Sequence, residues 1–167
     1  MPDVRWGLTV PFSGIPLADH GELFRRAEAA GYDDLWSAET NGYDGFTPLA
    51  VAAVHTERMR LCTGIVNPFT RGPALLAQQA AALADLSRGR FVLGLGASSN
   101  VIVERWNEIV FEKPLTKVRE SVATMRSVLA GGRGPGGFKL ETAPAHEIPI
   151  VVAALRGRML ALAAEVA

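Results

Sequence analysis

Short apolar runs alternate along this chain with longer segments in which apolar residues recur at helical spacing. Trp6 to Phe12 reads as a first strand, stopped by Pro11 and Ser13-Gly14. Leu23, Phe24, Ala27 and Ala30 then form the stripe of a helix. Asp19 and Glu22 precede that stripe with the spacing of a capping-box variant, and Gly31 ends it. Leu35-Trp36-Ser37-Ala38 is a second strand, Glu39 to Gly45 a polar loop, and Thr47-Pro48 the N-cap and first-turn proline of a helix reaching Val54 or His55. Leu61, Thr63 and Ile65 open a third strand that Asn67-Pro68 stops. Gly72-Pro73 opens a helix carrying Leu75, Leu76, Gln79, Ala82, Leu83 and Leu86, closed by Ser87-Arg88-Gly89. Phe91 to Gly96 is a fourth strand, apolar throughout as for a parallel strand buried on both faces.

After Ser99 the repeat lengthens. Ile102 to Ile109 predicts a short extra helix, and Leu115 to Leu129 a longer one with Val118, Val122, Met125 and Leu129 on one face. Gly131 to Gly137 is a glycine-rich stretch with no strand before it and no helix after it, hence a mobile surface loop and not a phosphate cradle. Phe138-Lys139-Leu140 predicts a short strand, Ile148 to Ala154 the fifth main strand, and Arg156 to Val166 a fifth helix. Repeated βα units with apolar strands predict an α/β fold, a parallel sheet covered by helices. Ligands of such sheets bind where the strands end, so Gly64 to Asn67 and Gly96 to Ser99 are the first candidates for a site.

Composition narrows the function. The 167 residues carry 17 basic and 17 acidic side chains, so no basic surplus exists to neutralise phosphates and nucleic acid is a poor partner. Hydrophobic residues make up 49%, a core-forming composition, and the apolar runs fall short of the ~20 residues that cross a bilayer. MPDVRWGLTV lacks the basic and apolar regions of a signal peptide. Cys62, the only cysteine, excludes an internal disulfide, which fits a cytoplasmic protein, and inside an apolar strand it reads as a packing residue. His20 and His146 fall in loop or cap positions, and His55 ends a helix beside its terminal carbonyls. No histidine pair has metal-ligand spacing, and no metal is expected.

Two blocks, Thr63-Gly64-Ile65-Val66-Asn67-Pro68-Phe69-Thr70-Arg71 and Ser87-Arg88-Gly89-Arg90-Phe91-Val92-Leu93-Gly94-Leu95-Gly96, resemble the luciferase-like monooxygenase superfamily. More narrowly they are similar to its branch that uses the deazaflavin coenzyme F420, which includes methylenetetrahydromethanopterin reductase-like proteins. The likeness extends from Arg5-Trp6-Gly7-Leu8 to Met159-Leu160-Ala161-Leu162-Ala163. It implies a (β/α)8 TIM barrel. Since such barrels take ~250 residues, 167 amount to a single domain, residues 1–167, truncated to about five βα units. It also implies hydride transfer between reduced coenzyme F420, or alternatively FMN, and a small organic substrate. The alternative is a catalytically incompetent half-barrel or an interaction subunit. A half-barrel leaves strand edges and a sheet face uncovered, which invites a homo-oligomer or pairing with another chain.

The resemblance further implies site residues. Gly64-Ile65 matches a non-proline cis peptide that makes a bulge supporting the deazaflavin ring; without the family this reads as an ordinary strand end. Glu39 and Thr40 end the second strand, where relatives commonly carry an acid reaching the ring's polar edge. Glu39 is either such a carboxyl or a solvated loop residue. Sugar-phosphate dehydrogenases of the family have a histidine where Thr40 stands, so that chemistry is disfavoured. Asn67 either offers its amide to ring or substrate or caps its own turn. Gly94-Leu95-Gly96 lacks the third glycine of a dinucleotide fingerprint. Instead, the N–H groups of Ala97, Ser98 and Ser99 suit a carbonyl or phosphate oxygen. Relatives with a catalytic glutamate have it near Ser98 or Ser99, so no general acid is identified there. Trp36 and Trp106 read as packing residues, and Arg156 and Arg158 either meet a cofactor phosphate or are helix surface charge.

Overall fold

Five strands lie side by side, all parallel and in chain order: β1 (Gly7–Val10), β2 (Asp34–Ser37), β3 (Arg60–Thr63), β4 (Phe91–Leu95) and β5 (Ile150–Val152). This is a computed structural model describing residues 4–167. The leader reading rests in part on Met1, Pro2 and Asp3, which lie outside the described residues. Helices α1 (His20–Ala29), α2 (Thr47–His55), α3 (Pro73–Leu86), α4 (Pro114–Leu129) and α5 (Gly157–Val166) follow the five strands. Each packs on the next, as expected for consecutive βα units.

Alternation within the strands sorts the side chains. Leu35 on β2 and Leu61 on β3 are fully buried in one cluster with Phe24 of α1, Leu49 of α2 and Leu76 of α3. Trp36 pairs with Cys62, and Cys62 with Val92, on the opposite face. Cys62 is a fully buried packing residue in the sheet, where desolvation and nearby Asp34 push its thiol up to about 12.

The N-terminal ends of the strands are joined by charge. Asp34 accepts from Nη2 of Arg5 and Nε of Arg60, each at 2.7 Å, and from Nη2 of Arg60 at 2.8 Å. Nearby, Arg90 has no carboxylate partner among the described residues. Its guanidinium instead donates to the carbonyls of Ala53, Thr56, Met59 and Ser87 and to the Thr56 hydroxyl. Glu28 of α1 accepts the N–H groups of Glu57, Arg58 and Met59, tying the turn after α2 to the first helix.

Several local expectations are corrected. Asp19 makes no side-chain cap, because a 3-10 turn at Leu17–Asp19 runs directly into α1 with helical dihedrals, and Glu22 pairs with Arg25. Thr47 is the first residue of α2, and Asp44 does the capping by accepting from the N–H groups of Phe46 and Thr47. His55 accepts at Nδ1 from Arg25 at 2.7 Å and does not turn to the helix carbonyls. Its neighbour His20 is fully buried, its ring nitrogens on the Phe12 N–H and the Pro16 carbonyl. Phe138 to Leu140 joins no ladder; Leu140 is buried against the core instead. The stretch after Gly131 lies on the surface as a loop, as expected, with a 3-10 turn at Pro135–Gly137 tied by the Gly134 N–H to Phe138 O and by Arg133 to Gly137 O. The extra helix after β4 is a π-helical turn, Val101–Trp106, and Trp106 is half exposed, not packed.

Candidate functional site at the C-terminal strand ends

The ladder between β3 and β4 goes out of step near its end. Cys62 pairs with Val92, yet Val66 bridges to Leu95, so four steps on one strand face three on the other. One extra residue is the definition of a β-bulge. The expected feature at Gly64-Ile65 is therefore present, and the peptide bond between those residues is cis.

Two residues hold the bulge that the sequence reading left without a role. The Thr63 hydroxyl donates to Gly94 O at 3.0 Å and accepts from Gly94 N–H at 2.7 Å, replacing the ladder bonds lost there. Gly94 is required because a Cβ at that position would fall on the Thr63 carbonyl oxygen. A G-x-G read for its phosphate-binding meaning conceals this packing meaning. On the far side, Val66 N–H donates to Gly94 O at 3.0 Å and Gly96 N–H to Val66 O at 3.2 Å. Toward β2, Glu39 N–H donates to Ile65 O at 3.2 Å and Gly64 N–H to Ser37 O at 2.7 Å. Main-chain bonds thus stitch Glu39, Ile65, Val66 and Gly96 across three strand ends.

Two clefts open on this face. One, of about 800 Å3, is lined by Ile65, by Gly96 to Asn100 and, from later in the chain, by Glu104, Phe111, Leu155, Arg156 and others. The other, of about 570 Å3, lies between the loop after β1 and the loop after β2, with Thr40 to Tyr43 in its wall. The smooth floor of the larger cleft depends on Gly96. A Cβ there would come within 2.9 Å of Ile65 Cγ1 and 3.2 Å of Ala153 Cβ. Ser98, with φ of 63°, turns the chain away from the sheet. The segment after it is held down by Phe111, whose ring lies 4.9 Å from that of Phe69.

The candidate residues are thus only partly brought together. Ile65, Gly96, Ala97, Ser98 and Ser99 share the larger cleft, while Thr40 lines the smaller one. Asn67 is 1% exposed and caps its own turn, its Oδ1 accepting from Phe69 N–H, Thr70 N–H and the Thr70 hydroxyl. Glu39 is neither a solvated loop carboxylate nor a free acid aimed at a ligand, because its side chain turns to the guanidinium of Arg71. A guanidinium only donates, so the carboxylate there is an acceptor. Asn100, Glu104, Phe111 and Met159 were missed; they reach the cleft from segments whose pattern signals only a helix or a loop. Arg156 is on the cleft, whereas Arg158 faces the groove between α4 and α5. Among the described residues no three His, Cys, Asp or Glu side chains come together as metal ligands, and no helix is long and apolar enough to cross a membrane.

A parallel sheet in chain order, with helices after its strands and clefts at its C-terminal strand ends, is part of a (β/α) barrel. Residues 5–167 match the family described as luciferase-like monooxygenase, and the chain belongs to it. A Mycobacterium tuberculosis protein with the provisional name of a coenzyme F420-dependent oxidoreductase is 36% identical over 98% of this chain and 53% of its own length. The 5,10-methylenetetrahydromethanopterin reductase of Methanolobus tindarius is 35% identical over 90% of this chain and 48% of its own. The coenzyme F420-dependent tetrahydromethanopterin reductase of Methanopyrus kandleri superposes with a TM-score of 0.81 at 27% identity, over 99% of this chain and 54% of that one. The chain spans about half the length of the relatives it matches, and its fold is five consecutive βα units, the N-terminal part, of their TIM barrel.

Proposed function

We propose that residues 1–167, as one domain, bind the ring of coenzyme F420, or alternatively FMN, at the C-terminal strand ends, as part of an oxidoreductase acting on a small organic substrate. The observation that carries this reading is the bulge at Thr63 to Val66 opening onto the 800 Å3 cleft. The cleft's surface suits a planar, partly apolar ring with one polar edge. Ile65, Gly96 and Ala153 make a flat apolar floor, and Ser98, Ser99 and Asn100 make a polar rim. When bound, the ring supplies the atom that gives or takes the hydride. The chain's own work is to fix the ring's plane against Ile65, to meet its polar edge with the rim, and to exclude water with Phe111 and Met159. The charged side chains on that wall are Glu104 and Arg156, and Glu104 accepts the Phe111 N–H at 3.3 Å. Arg156 suits an anionic group on the cofactor.

Fluorescence titration of the chain with the deazaflavin and with FMN tests this. Saturable binding of the deazaflavin, weakened by Gly96→Val, supports the reading. Preference for FMN moves it to the flavin alternative, and binding of neither overturns it. A second reading, pairing with another chain, is favoured by Val151 on β5, Leu155 in the turn after it and Leu160 on α5, which are exposed, Leu155 almost completely. A monomeric mass by sedimentation at high concentration would dismiss it.

A further inference from the structure

Arg71 stands in the turn between β3 and α3, inside one of the blocks that carry the family resemblance, yet it lines neither cleft. Its guanidinium is fully engaged within the protein. Nε donates to the two Glu39 oxygens at 3.0 and 3.3 Å, and Nη2 closes the fork on the same carboxylate. Nη1 donates to Gln79 Oε1 on α3 at 2.9 Å, and an Asp44 oxygen lies 3.7 Å away. One face of the group covers the Phe46 ring, with Cζ 5.2 Å from its centroid. Both side chains of the Arg71–Glu39 pair are about 15% exposed or less, so solvent screens it weakly. A guanidinium so occupied is unsuited to binding an incoming anion. It is suited to holding two loops in place.

What it holds is the bulge and the loop above it. Glu39 carries the pull onward, because its N–H donates to Ile65 O, and Ile65 lies on the larger cleft. Asp44 is tied twice, to Arg71 and to the N-terminus of α2 through Phe46 and Thr47. Between them Gly45 is pressed against Val66, where a Cβ would overlap Val66 Cγ1. The same loop supplies Thr40 to Tyr43 to the smaller cleft. Thus one side chain on α3's approach links the walls of both clefts and touches neither.

We infer that Arg71 is a positioning residue for this face: acting through Glu39 and Asp44, it holds the loop after β2 down on the bulge and so sets the affinity for the planar cofactor, without contacting that cofactor. The affinity part rests on the ligand reading above; the clamp itself does not. Preorganised walls bind more tightly because the ordering has been done before the ligand arrives.

The test uses the 167-residue chain with Arg71→Gln, Arg71→Lys, Glu39→Gln and, as a control, Arg60→Gln, which breaks an ion pair at the opposite end of the strands. The first readout, amide exchange by NMR without ligand, needs no cofactor. Arg71→Gln should speed exchange at the Glu39 amide about tenfold, the loss of ~1.4 kcal/mol of local protection, while Leu35 and Leu93 amides stay unchanged. The second readout is deazaflavin affinity. It should fall about tenfold in Arg71→Gln and in Glu39→Gln, with no further fall in the double variant, and Arg71→Lys should recover only part of it. Arg60→Gln should destabilise the fold and leave affinity within about twofold. A purely structural role would weaken binding in the control as well, and that result overturns the proposal. Wild-type Glu39 protection with wild-type affinity in Arg71→Gln also overturns it. If the wild-type chain binds neither cofactor, the ligand reading fails, and Glu39 exchange alone decides the clamp. If Arg71→Gln does not fold, Glu39→Gln carries both readouts.

Discussion

Replacing Asp34 by asparagine exchanges one carboxylate oxygen for an NH2 group and changes the shape of the side chain very little. Its consequence is electrostatic. Asp34 is 5% exposed at the start of β2, in register with Gly7 and Arg60, and four guanidinium N–H contacts converge on it from Arg5 and Arg60. Burial alone would raise the carboxyl, but the hydrogen bonds from Arg60 and Arg5 outweigh it and bring Asp34 from 3.8 down to about 2. At about 1.4 kcal/mol per pH unit, that displacement corresponds to about 2.5 kcal/mol favouring the folded, ionised state. The guanidinium groups are 43–44% exposed, so salt and solvent trim the figure. The amide of Asp34→Asn would add a donor facing donors, and the expected cost of the variant at pH 7 is about 2–4 kcal/mol. The pH dependence has a fixed sign. Because folding lowers this pKa, the contribution is complete above pH 3.8 and is lost as pH falls through about 2. Urea unfolding of both proteins from pH 2 to 7 measures this. The stability difference between them should be flat above about pH 5 and should shrink toward pH 2. Subtraction removes the parallel loss from Glu28, whose burial is outweighed by three backbone hydrogen bonds that lower its carboxyl. A difference below about 0.5 kcal/mol at pH 7, or one independent of pH, would refute the reasoning.

Gly94→Ala should cost about 3 kcal/mol by thermal or urea unfolding, because the added Cβ meets the Thr63 carbonyl, which is backbone and has nowhere to go. Thr63→Val should cost about 1–3 kcal/mol by orphaning the Gly94 N–H, and Thr63→Ser should restore most of it; equal stability of the Val and Ser variants would dismiss the hydroxyl's role. Arg90→Ala should cost about 3 kcal/mol by removing the side-chain donor of the Ala53, Thr56 and Met59 carbonyls, while the Ser87 carbonyl keeps the Arg90 main-chain N–H, and Arg90→Lys should recover less than half, since an ammonium cannot reach carbonyls spread between α2 and the turn after it.

Sequence pattern served well where a single physical signal decides the outcome. Helices α2 and α3 begin and end where Thr47-Pro48, His55, Gly72-Pro73 and Leu86 indicate, because proline in a first turn and the loss of apolar period leave little choice. The parallel sheet followed from the βα repeat, and the barrel and its bulge from the family resemblance around Gly64-Ile65. Side-chain roles were less legible, since they depend on pairs distant in sequence. Glu39 meets Arg71 across 32 residues, and Thr63 meets Gly94 across 31. Periodicity cannot announce either pair. Asp44 is a cap because a tight turn returns it to Phe46 and Thr47, which a local rule centred on Thr47 misassigns. Phe138 to Leu140 has strand composition, yet a strand needs a ladder partner as well as composition.

The two ends of the sheet solve opposite problems with the same residue types. At the N-terminal end, Asp34, Arg90 and Glu28 each hold a buried or half-buried charge met from several sides, and the groups they bind belong to different βα units. A buried charge is tolerated only when it is so satisfied, and losing one partner strands the rest, so these contacts resist separation of the units. At the C-terminal end the main chain departs from the regular ladder, and its irregular carbonyls and N–H groups are met by Thr63, Glu39, Val66 and Gly96. There the ion pair of Arg71 and Glu39 stands behind Ile65, and the charged side chains that line the larger cleft, Glu104 and Arg156, are of opposite sign. The contacts that hold the βα units together thus lie at one end of the sheet, and Thr40, Ser98 and Glu104, which line the clefts, lie at the other.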